Sequence, residues 1–343
     1  MKFFEKITET NNTISLLKKK YSLNYTKQKR IIKSMYHIYA DYINIPVLLE
    51  FYHMEGDSDE LSALIEKLKK SEDKNIQTWA SLYYLLIRHH TDTITPQDLI
   101  NQTLTIPTTT KEMKVFSLLL FLYGVYCLRL YDHFNTLSKH VLLLIKQIDN
   151  DYLRNAYRFQ LLLLCSASYL MINKVSISRE LCKDIFKEEL QTYYPLTHSQ
   201  LYHVMGASYT FTNYQDTLYW LNKACENLLT LSTSCVKFHL QKQQSTLYFV
   251  ENIWQTNIHY IPPDPSEAAH RLIIMNRKQE AINILNHLHK QTGELSPFQE
   301  FYYASATQDI ARLQMARKKF LSESNYYFLH LFQKENLNKY GFT

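Results

Sequence analysis

Five stretches of this chain repeat one spacing, in which residues three, seven and usually ten positions beyond the first are mostly apolar or small. They are Phe134, Leu137, Val141, Leu144; Val175, Ser178, Cys182, Ile185; Tyr214, Thr217, Leu221, Ala224; Lys278, Ala281, Leu285, Leu288; and Leu313, Ala316, Phe320. Steps of three and four place each set on one helical stripe. The second positions, Leu137, Ser178, Thr217, Ala281 and Ala316, stand 41, 39, 64 and 35 residues apart, and the double-length gap leaves room for one degenerate unit. A period in the upper thirties, with small residues where helices would pack closely, is the mark of stacked helix pairs such as the tetratricopeptide repeat. Arrays of that kind present a concave surface, which is a binding device. The pattern therefore points to a receptor or adaptor ahead of a catalyst.

Composition narrows the fold further. Apolar residues make up 46% of the 343 and charged residues 20%, enough for a large core. Only five glycines occur, against about 24 at average usage. Strand turns and phosphate-cradling loops need glycine, whereas helices joined by short polar turns are expected to need little. No run alternates with period two, so the expected class is all-α. An N-terminal helical bundle should lead into a tetratricopeptide-like right-handed helical-repeat solenoid. Residues 1–110 form the basic N-terminal region in this reading. Residues 111–343 form the repeats, with a concave peptide-binding groove.

Tyrosine is the outlier, at 27 residues. Many sit at apolar-periodic positions, which suits inter-helix packing with the hydroxyl at the edge. A groove lined with amphipathic rings is the sharper alternative, and composition does not separate the two. The five cysteines, Cys127, Cys165, Cys182, Cys225 and Cys235, are widely spaced, odd in number and without a CxxC pair, as expected of buried reduced thiols in a cytosolic protein. The start MKFFEKITET lacks the apolar run of a signal peptide. The richest apolar stretch, Val115 to Leu130, still holds Gly124 and Arg129, so no membrane span is expected. The expected setting is the cytoplasm.

Punctuation along the chain supplies provisional boundaries. Helices are expected over Arg30 to Leu49, from Ser58 after the GDSDE break, over Thr78 to His89, and from Glu112 onward. Thr91 to Thr110, threonine-rich with Pro96 and Pro107, is expected to be a loop. Pro262-Pro263-Asp264-Pro265 is the sharpest break, with a helix following from Glu267. Pro297 is well placed at a helix start.

Catalytic and metal motifs are missing. There is no HExxH, GxSxG, Walker-type loop or GxGxxG. His287 and His289 are two apart, where joint ligation on a helix needs three or four. His198 and His203 lie five apart across an expected turn. No cofactor, metal ligand or catalytic residue is assigned, and the chain is not read as an enzyme. Charge is more informative. Residues 1–50 carry nine Lys or Arg against four acids, nearly all of the formal net charge of +6. Within them Lys18, Lys19, Lys20, Lys27, Lys29, Arg30 and Lys33 interleave with Tyr21 and Tyr25, a pattern that can meet phosphate and sugar. A solvated basic bundle is the plainer reading.

The second half carries a resemblance. Asn252-Ile253-Trp254 closes an aromatic-rich helix. Arg277-Lys278-Gln279-Glu280-Ala281-Ile282-Asn283-Ile284-Leu285 and Phe301-Tyr302-Tyr303 follow, with Gly206 through Phe211 and Tyr214 upstream. In this order they resemble the AimR family, the arbitrium peptide receptors of Bacillus phages, grouped with the tetratricopeptide-like Rap and PlcR regulators. The likeness runs from about residue 14 to about residue 340. It implies a receptor for a short communication peptide that regulates phage lysis–lysogeny. In that family the receptor is a DNA-binding homodimer that activates a lysogeny-controlling transcript until peptide disables it. The peptide-contact candidates are Asn173, His198, Tyr202 and Tyr209. The match has departures. The family's helix-turn-helix precedes the region matching residue 14, where this chain has few residues, and its C-terminal dimer helix has no counterpart at Lys339 to Thr343. Leu196 to His198 stand where the family's peptide-gripping arginine would fall, and Ala207 replaces an asparagine. Two other functions stay open: a protein-interaction adaptor without DNA binding, docking a regulator protein, and a basic nucleic-acid-binding helical protein.

Overall fold

The expected helix start at Arg30 lies outside the described residues; several of the others have a nearby side chain that can satisfy the free backbone N–H groups of a first turn, and the structure uses them. It is a computed structural model that describes residues 45–188, 194–231, 233 and 235–342. The helices are α1 Ile45–Met54, α2 Ser58–Leu68, α3 Lys74–His90, α4 Pro96–Thr105, α5 Lys111–Cys127, α6 Tyr131–Ile145, α7 Asp151–Met171 and α8 Val175–Phe186. They continue as α9 Pro195–Ala207, α10 Tyr214–Leu229, α11 Val236–Trp254, α12 Pro265–Ile274, α13 Lys278–Thr292, α14 Pro297–Thr307 and α15 Ile310–Ser322. A 3-10 helix, Tyr326–Phe332, and α16, Lys334–Lys339, complete the series. Among the described residues every regular element is helical. None of the described helices is long and apolar enough to cross a membrane.

Asp57, Asp73, Thr95, Thr110, Asp264 and Asp309 each accept a backbone N–H at a helix start, and Ser296 with Gln299 forms a full capping box. The expected loop from Thr91 to Thr110 is corrected by α4. Thr95 caps it, Pro96 supplies the preorganised first residue, and Leu99, Ile100 and Thr103 are its buried stripe. A ten-residue helix with three buried positions is easily masked by threonine-rich flanks.

The chain forms two compact units. Of the described residues, the first holds 45–168, 180–188, 194–201, 224–231, 233 and 235–239, and the second Tyr169–Arg179, Tyr202–Lys223 and 240–342. In the first, helices adjacent in sequence pack as neighbours: α1 with α2, α2 with α3, α4 with α5, and α5 with α6. Helix α5 is apolar nearly all round and buries Met113, Val115, Phe116, Leu119, Leu120, Leu122 and Val125. Gly124 is required there, since a Cβ would lie 2.6 Å from Ile100 Cγ1 and 3.0 Å from the Pro96 carbonyl. The Glu50 carboxylate is fully buried in this unit. The Tyr83 hydroxyl donates to it at 2.6 Å, the Gln160 amide donates to its other oxygen, and His53 Nδ1 lies 3.4 Å away.

The second unit has its own core, built on Ala269, Leu272, Ala281, Leu285, Phe301, Tyr302, Ala316, Phe320 and Leu331. Here the buried carboxylate is Glu267. Tyr302 donates to it at 2.8 Å, Asn252 at 2.9 Å, and His270 Nδ1 lies at 3.2 Å. Arg271, fully buried, bonds Asn252 Oδ1, the carbonyls of Asn257 and Tyr260, and Glu251. The segment Tyr326–Tyr340 packs onto this unit. Tyr327 donates to the Ala207 carbonyl at 2.7 Å, Lys339 to the Ile253 carbonyl at 3.1 Å, and the Tyr340 hydroxyl meets His270 Nε2 at 2.7 Å.

The repeat register differs from the expected one in α6, while the last stripe, Leu313, Ala316 and Phe320, is buried as expected. Leu137 is 38% exposed, while Phe134, Ser138, Val141 and Ile145 are buried. The turns explain the shift. Arg129, Asn173, Asn276 and Gln308 all hold a left-handed backbone, φ 58 to 61°, and each stands five residues before a buried stripe residue, namely Phe134, Ser178, Ala281 and Leu313, with Tyr131 also buried ahead of Phe134. After each of them the following N–H closes back on the preceding helix, as in Lys174 to Tyr169 O (2.8 Å) and Arg277 to Leu272 O (2.8 Å). Eight non-glycine residues adopt positive φ among the described residues, so these turns use glycine's conformation with little glycine. An L-residue pays about 1–2 kcal/mol there, less for Asn. Arg129→Gly and Ser324→Gly should each raise stability by about 1 kcal/mol, and Asn276→Gly by less, as read from urea midpoints.

Candidate functional site

The candidate peptide-contact residues fall in different units, so each group is built separately. His198 belongs to the first. It lies in the opening turns of α9, which begins at Pro195, and the Asn227 side chain donates to the Pro195 carbonyl. Ser199 donates to the Ala224 carbonyl at 2.8 Å. The imidazole is fully buried, with its Nδ1 3.1 Å from the Tyr194 carbonyl and Phe159 edge-on at 5.9 Å. Nδ1 must be the protonated nitrogen, since a carbonyl only accepts. Nε2 is then a bare lone pair with no partner among the described residues. Burial lowers the imidazole's proton affinity below the ordinary value of 6.5, partly offset by the Tyr194 bond. His198 and His203 lie on one helix rather than either side of a turn.

The other three candidates belong to the second unit. Asn173 is the left-handed residue after α7, and its exposed side chain makes no hydrogen bond among the described residues. Its asparagine is thus explained by backbone geometry as readily as by a ligand. Tyr202 is nearly buried and stacks on Trp220 at 5.8 Å. Lys223 Nζ lies 5.1 Å from the Tyr219 ring, 5.5 Å from Trp220 and 5.6 Å from Tyr202. The Tyr202 hydroxyl is held above its ordinary proton affinity by burial, with the Lys223 charge opposing. Gly206 lets α9 approach α10, since a Cβ would lie 2.8 Å from Leu221 Cγ and 3.1 Å from its backbone N.

Tyr209 lies in the turn after α9, and there the structure adds a residue that sequence reasoning missed. Arg179, from α8, lays its guanidinium over the Tyr209 ring at 3.6 Å. Its Nε donates to Ser208 Oγ at 2.9 Å, and its Nη2 to the Ser208 carbonyl and to Thr212 Oγ1. The same turn is held from behind by Tyr327 on the Ala207 carbonyl and by Phe211 against Tyr327 (5.4 Å) and His330 (5.3 Å). No local motif announces Arg179, whose partners lie 29 to 33 residues on. Among the cation–aromatic contacts of the second unit are thus Arg179 with Tyr209 and Lys223 with Tyr202, Tyr219 and Trp220, and such contacts are worth about 0.5–2 kcal/mol. Among the described residues no group of three or more His, Cys, Asp or Glu side chains is placed to hold a metal. The basic candidates Lys18, Lys19, Lys20, Lys27, Lys29, Arg30 and Lys33 lie outside the described residues.

Residues 15–335 match the family described as AimR transcriptional regulator-like. A curated relative, the uncharacterized protein pXO2-35 of Bacillus anthracis, is 28% identical over 240 residues, spanning 68% of this chain and 87% of its own. Two solved structures share the fold. One, of phAimR with a ligand, has a TM-score of 0.74 at 17% identity, covering 92% of this chain and 98% of its own. The other, of selenomethionine phAimR, has a TM-score of 0.68 at 16% identity, covering 100% and 90%.

The buried imidazole sets a pH dependence. His198 stays neutral in the native state, so the unfolded chain binds the extra proton as pH falls through 6.5. Stability is therefore full above that pH and declines below it. Melting temperature measured from pH 8 to pH 5.5 should fall, and His198→Phe should flatten the fall; an unchanged slope would remove His198 from the account.

Proposed function

This chain belongs to the AimR family, and from that premise we propose that it is an intracellular receptor for a short communication peptide, controlling transcription in a phage lysis–lysogeny decision. The observation that carries the reading is the family match across residues 15–335, together with a fold shared with the ligand-bound phAimR. The family is a regulatory one rather than a class of enzymes.

The peptide is proposed to lie on the repeats within residues 111–343, with Asn173, His198, Tyr202 and Tyr209 among its contacts. Tyr202 and Tyr209 support this because both present ring and hydroxyl in cation-bearing surroundings. The basic region within residues 1–110 is proposed to take the phosphate backbone of DNA through Lys18, Lys19, Lys20, Lys27, Lys29, Arg30 and Lys33, whose density of positive charge suits counterion release. A cytoplasmic homodimer is the proposed assembly, and its support is the family alone.

Short synthetic peptides, above all any encoded beside this gene, test the receptor reading by thermal shift. At 100-fold over its dissociation constant a cognate hexapeptide should add about 2.7 kcal/mol. Complete absence of a shift across such a set would overturn the reading. For the nucleic-acid proposal, replacing Lys18, Lys19 and Lys20 with Gln should lower the slope of log affinity against log salt by about 0.9 for each phosphate no longer neutralised. An unaltered slope assigns the DNA-binding surface elsewhere.

A further inference from the structure

Arg179 is held by the protein without using all of its donors. Three of its five N–H groups are engaged within the turn after α9, on Ser208 Oγ, the Ser208 carbonyl and Thr212 Oγ1. Its face covers Tyr209 at 3.6 Å. The two N–H groups of Nη1 have no acceptor among the described residues, and no carboxylate pairs with this charge there. The Tyr209 hydroxyl beside it likewise makes no hydrogen bond among the described residues. Both side chains are half-buried. Of the other described arginines with a buried or half-buried guanidinium, Arg154, Arg158, Arg271 and Arg312 each pair with a carboxylate, whereas Arg88 is held by Gln102 and the Thr93 carbonyl.

A guanidinium locked in one orientation, partly shielded from water and without a counter-charge, is preorganised for a carboxylate, because the fold has already oriented the fork. The tyrosine hydroxyl adds a neutral donor that suits the second lone pair of such an oxygen. We propose that Arg179 Nη1 and the Tyr209 hydroxyl form a carboxylate-binding subsite that anchors the anionic group of a bound peptide. This rests on the receptor reading and deepens it. The subsite is built from α8 and the turn after α9, not from residues 196–198, where the family resemblance looks for an arginine and this chain has none.

Two sources could supply the carboxylate, a peptide C-terminus or an Asp or Glu side chain, and three pools of random hexapeptides separate them. One pool lacks Asp and Glu and is amidated, so it carries no carboxylate. One lacks Asp and Glu but ends in a free acid, and one contains Asp and Glu but is amidated. The full chain should retain the second or third pool at least about tenfold better than the first, and Arg179→Lys should abolish the difference while Tyr209→Phe reduces it. Since Arg179 also pins its turn, the wild-type chain supplies a second measurement: arginine side-chain resonances titrated with sodium acetate against sodium chloride. Saturable acetate-specific shifts of the Arg179 Nη signals support the subsite. Equal retention of all three pools, or unmoved Arg179 resonances, overturns it and leaves the receptor reading standing. Acetate shifts with no peptide retained from any pool would instead keep the anion subsite and sink the receptor reading.

Discussion

Reversing a helix without losing the register of the next one is the constraint on which both units rest. The buried stripe of each following helix is only useful if it arrives facing the core. That is secured by counting: one left-handed residue, then five positions, at Arg129, Asn173, Asn276 and Gln308. The closing backbone bonds satisfy carbonyls that a helix end would otherwise leave bare. A residue inserted between such a turn and its stripe would rotate the stripe by about 100°, given 3.6 residues per turn. Side-chain identity at the turn matters less than its count, which is how Arg, Asn and Gln all serve.

The excess of tyrosine follows from a second requirement. Each unit buries a carboxylate that a tyrosine serves, Glu50 in the first and Glu267 in the second. In both, a tyrosine hydroxyl is a donor, with an amide and a histidine completing the shell. Removing one such donor strands a buried acceptor, which costs more than the bond itself contributes. Burial and the adjoining carboxylate hold the hydroxyls of Tyr83 and Tyr302 protonated far beyond the ordinary range, as that role needs. Tyrosine supplies ring area and a donor in one side chain. Tyr83 and Tyr302 are thus accounted for by packing and by these buried carboxylates.

The helical class was legible because three- and four-residue steps survive sequence noise, and so were most helix starts, since Asp264, Ser296 and Pro297 are local signals. Register was not, because Phe134 and Leu137 are both apolar and three apart, and only burial distinguishes them. Helix α4 hid behind threonines that cap and flank it. The family resemblance was drawn on residues such as Asn252 and Tyr302, and these turn out to serve the Glu267 network. They mark the fold more than the ligand. Arg179 was invisible because its role depends on a turn some thirty residues away, and no spacing rule reaches that far.

The closing segment has a consequence for biosynthesis. Tyr327 bonds a carbonyl 120 residues earlier, and Lys339 one 86 residues earlier. Contacts of such sequence separation form late, after a large loss of loop entropy. During translation the second unit would therefore emerge with Phe211, Phe249 and Phe298 lacking their aromatic neighbour Phe328. Until Phe328 clears the ribosome, that apolar surface is open to chaperones and to aggregation.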